Sequence, residues 1–150
     1  MMLPTNILVP TDFSPTAEHA LDYAIALAAK LGARIHLVHV IGIPPLGIPE
    51  LGIAVASMTA DTMVADGQAA LDRITAKRRD DASFGEAILR TGDARDEVLQ
   101  AAAQVHADLI VVGTHGRRGV SRALLGSVAE AIVRIAPCPV LVVGAKAVAP

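Results

Sequence analysis

Short apolar runs alternate along the chain with longer segments in which apolar residues recur every three or four positions. The short runs have the length of buried strands, and the longer segments have the spacing of amphipathic helices. Strands are predicted at Asn6–Pro10, Arg34–Val40, Phe84–Arg90, Ala107–Gly113 and Pro139–Val143. Four predicted helices separate them, so strands and helices alternate from the first strand to the last. Such alternation is typical of a parallel α/β sheet that carries helices on both faces.

The first predicted helix has clear start and stop signals. Ser14 offers a hydroxyl that can cap the first N–H groups, and Pro15 stands where a missing N–H costs nothing. Gly32 suits the left-handed conformation that commonly ends a helix. In the same way, Asp93 is predicted to cap the third helix and Ser127 to open the fourth.

The second helix follows a loop rich in proline and glycine. This loop is predicted at Ile41–Gly52, because its three prolines should keep a helix from running through it. The helix is then predicted from about Ala54 to Arg79, with Met58 and Met63 as core residues. Its charged end, from Arg73 to Asp81, is predicted to be a solvated face.

Composition and charge exclude several classes of protein. The chain has 150 residues, and a domain usually takes about 100–200, so residues 1–150 are predicted to form a single domain. The net charge of −2 and the aromatic content of 2% supply neither the basic surface nor the stacking side chains of a nucleic-acid-binding protein. No apolar run reaches the roughly 18 residues of a membrane-spanning helix.

Cysteine content and the N-terminal residues indicate a cytoplasmic protein. The first six residues lack the basic and small residues of a signal peptide. The single cysteine, Cys138, can form neither an internal disulfide nor a structural zinc site. Cys138 is predicted to be a small, buried, apolar residue rather than a redox thiol. The five histidines lack the spacing of a zinc motif, so no protein metal site is predicted.

Ligands of parallel sheets lie beyond the carboxyl ends of strands, where the strand order reverses. Asp12 follows the first strand at such a place, within the sequence Pro10-Thr11-Asp12-Phe13-Ser14. Its carboxylate could accept hydrogen bonds from a ribose or an amino group, or could hold a metal ion. Alternatively, Asp12 serves only as an acidic residue placed favourably before a helix N-terminus.

A glycine-rich segment follows the fourth strand and leads into the fourth helix. Between Gly113 and Ser127 the chain has three arginines and no acidic residue. Glycines allow close approach of the backbone, and the N–H groups of a helix start can bind phosphate, so this segment is a candidate polyphosphate site. Three plainer interpretations stay open: turn glycines, solvated arginines, and a capping box formed by Ser127 and Glu130. The glycines of the segment are Gly113, Gly116, Gly119 and Gly126.

Two common phosphate-binding patterns do not fit this segment. A P-loop needs Gly-Lys-Ser/Thr, and Gly126-Ser127 lacks the lysine. The dinucleotide fingerprint should follow the first strand, where Pro10-Thr11-Asp12 is not rich in glycine. His115 lies inside the segment and is interpreted as a positioning or surface residue rather than a base.

The spacing Gly113-x2-Gly116-x9-Gly126-Ser127 resembles the ATP-binding signature of the universal stress protein family. Three further stretches are similar to that family's opening, second and last strands, and the resemblance extends over essentially the whole chain. The stretches are Ile7-Leu-Val-Pro-Thr-Asp-Phe-Ser14, His36-Leu-Val-His-Val40 and Pro137-Cys-Pro-Val-Leu-Val-Val143.

The resemblance implies a Rossmann-like or flavodoxin-like sheet of order 3-2-1-4-5 that binds ATP, with Mg²⁺ as a candidate companion, between strands 1 and 4. It implies that Asp12 contacts the ribose or adenine and that the backbone of Val40 meets the adenine edge. The glycines and Ser127 would receive ribose and phosphates. The implied cofactor-binding residues are Pro10, Thr11, Asp12, Val40, Gly113, Thr114, His115, Gly116, Arg117, Arg118, Gly119, Gly126, Ser127, Val128 and Ala129.

Three classes of function follow from these observations. The first is an ATP-binding regulatory protein of the stress response. The second is an enzyme, either a slow ATPase or a nucleotidyl transferase, although no general base for water is evident. The third is an interaction domain without a ligand. The complete glycine pattern argues against this third class. The resemblance also implies a homodimer through the apolar edge strand Val140–Val143.

Overall fold

The computed structural model describes residues 2–42, 49–78, 80–81, 83–114 and 125–144. Strands and helices alternate as predicted. In chain order the elements are β1 (Asn6–Pro10), α1 (Pro15–Leu31), β2 (Arg34–Ile41), α2 (Pro49–Lys77), β3 (Phe84–Thr91), α3 (Ala94–Gln104), β4 (Leu109–Gly113), α4 (Ser127–Ile135) and β5 (Val140–Val143).

The five strands form one sheet in the order β3-β2-β1-β4-β5, and all four neighbouring pairs are parallel. This confirms the α/β fold class and the strand order 3-2-1-4-5. The order reverses between β1 and β4, which pair through Ile7 with Leu109 and through Leu8 with Ile110. Because these two strands are parallel neighbours, their carboxyl ends lie side by side at one edge of the sheet.

Each face of the sheet has its own apolar core. On one face, α1 and α2 cover Ile7, Val9 and other residues whose side chains are fully or nearly fully buried. On the opposite face, α3 and α4 cover Leu8, Val38 and Ile110. Consecutive residues of β1 therefore point into different cores, which explains why the central strands are apolar without alternation.

The predicted caps are present at α1 and α3. Ser14 accepts a hydrogen bond from the N–H of Ala17, and Gly32 adopts the left-handed conformation with φ of 69°. Asp93 accepts hydrogen bonds from the N–H groups of Arg95 and Asp96. The N-terminus of α1, which follows the predicted ligand-binding turn, is thus fixed by a side chain.

The structure corrects the predicted extent of α2. The helix begins at Pro49, five residues before the expected start, because proline is tolerated in the first turn of a helix. The predicted loop Ile41–Gly52 is therefore shorter. Met63 was expected in the core but is 36% exposed. The side chain of Met58 lies outside the described residues.

Smaller differences concern strand ends. β2 and β3 each extend one residue further than predicted, and β5 begins one residue later. β4 begins at Leu109 rather than Ala107. The charged end of α2 is largely exposed as expected, although Arg78 is paired with Asp22 of α1.

Asp108 joins the starts of the two central strands. Its carboxylate accepts hydrogen bonds from the N–H and the hydroxyl of Thr5 and from the N–H of Asn6, at 2.8–3.0 Å. Burial acts to raise the pKa of Asp108, but these hydrogen bonds outweigh it and hold the pKa below its ordinary value. The ionised carboxylate therefore clamps β1 to β4 at the edge opposite the predicted site.

Within the described part of the chain, none of the helices combines the length and the apolar character needed to cross a membrane.

Candidate functional site

The turn after β1 is ordered by its own side chains. Thr11 donates its N–H to the carbonyl oxygen of Val38 at 2.8 Å, and its hydroxyl oxygen accepts from the N–H of Phe13 at 3.0 Å. The Asp12 carboxylate accepts from the N–H of Ser14, also at 3.0 Å. Asp12 therefore has a structural role in this turn, which leads directly into α1.

The backbone of Phe13 is left-handed, with φ of 64°. The Phe13 ring lies against the ring of His39 with 4.3 Å between centroids. His39 Nδ1 lies 2.8 Å from the carbonyl oxygen of Thr11. A carbonyl oxygen can only accept, so Nδ1 carries the proton and donates. The end of β2 thus supports the turn after β1.

Val40 occupies the position that its predicted role requires. The carbonyl of Val38 points towards β1, where it accepts from Thr11. Because the direction of the N–H and C=O groups alternates along a strand, the backbone groups of Val40 point to the same side as those of Val38. They lie beyond Pro10, where β1 has ended. The Val40 side chain packs into the core under α3 and α4. Its backbone is therefore directed to the edge where a ligand is expected.

Gly113, at the end of β4, is a glycine for a reason that the sequence did not reveal. A Cβ at this position would lie 3.0 Å from Cγ2 and 3.1 Å from the carbonyl oxygen of Thr16. The φ of Gly113 is not positive: the glycines with a positive φ in the described part of the chain are Gly32 and Gly92. Close packing of β4 against α1 thus accounts for this glycine without a ligand.

Thr114 directly follows β4 and is the last residue described before the gap in the described residues. Its N–H donates to the carbonyl oxygen of Val143 at 3.2 Å. Its hydroxyl oxygen is buried and has no hydrogen-bond partner among the residues that the structure describes. A buried hydroxyl without a partner costs about 1–3 kcal/mol.

Ser127 is the first residue of α4, as predicted, but it does not cap the helix. Gly126, not Ser127, is the N-cap residue, and no side chain forms a cap hydrogen bond there. The interpretation of Ser127 and Glu130 as a capping box is therefore wrong. The N–H of Gly126 donates to the carbonyl oxygen of Thr114 at 2.6 Å. The first turn of α4, which includes Val128 and Ala129, thus begins beside the end of β4.

The remaining predicted phosphate-binding residues lie outside the described residues. They are His115, Gly116, Arg117, Arg118 and Gly119.

A cleft of about 200 Å³ opens beside the turn after β1, between α1 and α2. Thr11, Phe13 and Leu21 line its α1 side, and Arg73 and Lys77 lie on its α2 side. This cleft is on one face of the sheet and not between the ends of β1 and β4. We assign the candidate site to those strand ends, since Thr11, Asp12, Val40 and Thr114 converge on that edge.

Two other titratable side chains show no sign of a reactive role. Burial and the nearby Asp108 charge raise the pKa of the Cys138 thiol, which is half-buried and unbonded to sulfur. Burial lowers the pKa of His36, against the effect of Glu86. No group of three or more His, Cys, Asp or Glu side chains that could hold a metal ion occurs within the described ranges.

Comparison with known proteins identifies relatives along almost the whole chain. The model of the universal stress protein family matches residues 4–144. A universal stress protein of Methanocaldococcus jannaschii is 33% identical over 138 residues, which cover 92% of this chain and 81% of that protein.

Solved structures agree with this finding. The universal stress protein UspA of Lactobacillus plantarum superposes with a TM-score of 0.81 at 27% identity, over 93% of this chain and 97% of that one. A universal stress protein solved in complex with cAMP gives a TM-score of 0.61 at 27% identity, over 95% and 98% of the two chains.

Proposed function

The chain belongs to the universal stress protein family, and from that premise we propose that it is an ATP-binding regulatory protein of the stress response. A relative with the same fold holds cAMP, which supports an adenine nucleotide as the ligand class. The local excess of arginine between Gly113 and Ser127 favours a nucleotide with several phosphates. ATP is therefore the ligand we propose, bound at the carboxyl ends of β1 and β4.

The buried hydroxyl of Thr114 is the observation that carries this proposal. The hydroxyl has no protein partner in the described part of the chain. The carbonyl oxygen of the same residue accepts from the N–H of Gly126, at the start of α4 that no side chain caps. A phosphate or ribose oxygen at this place would accept from the hydroxyl. The N–H groups and the dipole of the first turn of α4 would stabilise the negative charge. The residues present therefore fit a nucleotide.

The other side of the ligand would be bound by the turn after β1. We propose that Asp12 accepts a hydrogen bond from the ribose or the adenine amino group. The backbone of Val40 would meet the adenine edge, with Pro10 and Thr11 as neighbouring surface. Mg²⁺ would enter with the nucleotide, because this ion usually binds protein-bound phosphates and keeps several of its waters.

We also propose a homodimer formed through β5. This strand is at the edge of the sheet, and no strand of the described chain pairs with its outer side. Val133 and Ile135 of α4, the helix beside β5, are about half exposed. An apolar edge that pairs with its own copy satisfies its backbone groups and closes the assembly.

A substitution at Thr114 tests the nucleotide site. Thr114→Val keeps the shape of the side chain and replaces the hydroxyl with a methyl group. If the hydroxyl serves the ligand, ATP affinity measured by calorimetry falls about two- to tenfold, the worth of one hydrogen bond. Stability in urea stays the same or rises, because an unpaired buried hydroxyl is removed.

The matched control is Thr75→Val in α2, whose hydroxyl donates to the carbonyl oxygen of Leu71 at 2.9 Å. This substitution should leave ATP affinity unchanged. Unchanged affinity in Thr114→Val would remove the observation on which the proposal stands.

A further inference from the structure

The turn after β1 is held in a conformation that its sequence does not favour by itself. Phe13 has φ of 64°, a backbone region that residues with a Cβ rarely adopt. Among the described residues other than glycine, only Phe13 and His106 have a positive φ. Since such a conformation persists only where the surroundings impose it, some neighbouring group must hold the turn in place.

His39 makes the contacts that can do this. Its ring lies against the Phe13 ring at a 43° angle, and its Nδ1–H donates to the carbonyl oxygen of Thr11. This carbonyl belongs to the peptide that joins Thr11 to Asp12. Fixing that peptide fixes the direction in which the chain presents Asp12.

The His39 ring is itself confined from the side of α2. A Cβ placed on Gly67 would lie 3.2 Å from Cδ2 of His39, so the backbone of α2 passes close to the ring. The ring therefore has contacts with both Phe13 and α2. With little room to rotate, it keeps Nδ1 directed at Thr11.

We propose that His39 is a positioning residue for nucleotide binding, which acts by holding the Thr11–Asp12 peptide through its Nδ1–H. The proposal rests on the nucleotide site proposed above, although His39 itself need not touch the nucleotide. By this proposal, a side chain of β2 orients Asp12, which follows β1.

A pair of variants of equal size tests this role. Asn carries an N–H donor on the atom that corresponds to Nδ1, and Leu has the same branched shape without a donor. Both His39→Asn and His39→Leu remove the ring, so their difference isolates the hydrogen bond. By calorimetric titration with ATP, we expect His39→Leu to bind about three- to tenfold more weakly than His39→Asn.

His106→Asn is the control for a change of histidine to asparagine. His106 is exposed and precedes β4, at the opposite edge of the sheet from the site. This variant should bind ATP like the parent protein. If His39→Leu does not fold, His39→Phe is compared with the parent protein instead, because Phe keeps a ring beside Phe13 and lacks the donor.

Amide hydrogen exchange, measured without nucleotide, separates this inference from the proposed function. The N–H groups of Phe13 and Ser14 bond within the turn, so they should exchange faster in His39→Leu than in His39→Asn. If the parent protein binds no ATP, the proposed function fails and the exchange rates alone decide the role of His39. Equal ATP affinities of the two variants, or equal exchange rates if the parent does not bind, would overturn the inference.

Discussion

The N–H of Gly126 donates a 2.6 Å hydrogen bond to the carbonyl oxygen of Thr114, which brings the start of α4 to the end of β4. Two features suited to a phosphate thereby become neighbours. One is the buried, unpaired hydroxyl of Thr114, and the other is a helix start that no side chain caps. The proposed function depends on this juxtaposition.

Substitution of Gly126 should therefore weaken ATP binding and leave the fold intact. The φ of Gly126 is −59°, which any residue can adopt, so a side chain causes no backbone strain there. A side chain would instead occupy space in which phosphate must approach the backbone. We expect Gly126→Ala to weaken ATP binding and Gly126→Val to abolish it, with circular dichroism like that of the parent. A folded Gly126→Val protein with parental affinity would contradict the site assignment.

Asp12 should contribute to binding beyond its role in the turn. A hydrogen bond to a charged group is worth about 1.5–3 kcal/mol, so Asp12→Ala should weaken ATP affinity about 10- to 150-fold. Asp12→Asn keeps an oxygen that can accept from the N–H of Ser14, and it should keep the stability of the parent while losing part of the affinity. Calorimetry with and without Mg²⁺ measures both. A change in ATP affinity below about threefold in both variants would show that Asp12 stabilises the turn and does not contribute to ATP binding.

The structure determines which residues of β5 face outward. The carbonyl oxygen of Pro139 accepts from the N–H of Ile110 in β4, and that of Val143 accepts from the N–H of Thr114, directly after β4. The backbone direction alternates, so Leu141 also faces β4, and Val142 faces outward. Val142→Pro should give a folded monomer, whereas Leu141→Pro should lose stability. Light scattering and urea unfolding check this pair, and the edge-strand dimer is wrong if the parent protein is already monomeric at tens of micromolar.

The clamp at Asp108 should make stability depend on pH in the acid range. Its pKa is lower in the folded than in the unfolded chain. Its contribution is therefore complete above the ordinary carboxyl pKa of about 3.9 and is lost as pH falls through the lower folded-state pKa. At neutral pH, we expect Asp108→Ala to lower the free energy of unfolding by about 1.5–3 kcal/mol.

Asp108→Asn provides the control for the clamp, because its amide does not titrate. In urea unfolding at several pH values, the free energy of unfolding should fall less steeply with decreasing pH in this variant than in the parent. If it falls equally steeply in both proteins, the loss of stability in acid comes from other carboxylates.

Local patterns in the sequence were sufficient for the order of elements along the chain and for the caps at Ser14 and Asp93, because each depends on residues a few positions apart. The position of β5 at the edge depends on the strand order, which only the family resemblance implied. The start of α2 was missed because Pro49 was interpreted as a barrier, although a proline in the first turn does not interrupt a helix.

The other features that sequence reasoning missed depend on contacts between distant elements. Gly113 was interpreted through a ligand, but its Cα packs against Thr16, which no pattern around residue 113 reveals. The left-handed Phe13 and its support by His39 were missed for the same reason, since the two residues meet only when β2 pairs with β1. A positive φ at a phenylalanine has no signature in the sequence itself.

Incubation of the pure protein with labelled ATP, followed by separation of bound from unbound label and of the products, tests the central claim most directly. We predict that the protein retains label with an affinity in the micromolar range and that the label is recovered as intact ATP. Absence of retained label would contradict nucleotide binding and favour an interaction domain without a ligand. Conversion of the label to ADP or to an adenylated product on each turnover would instead establish an enzyme.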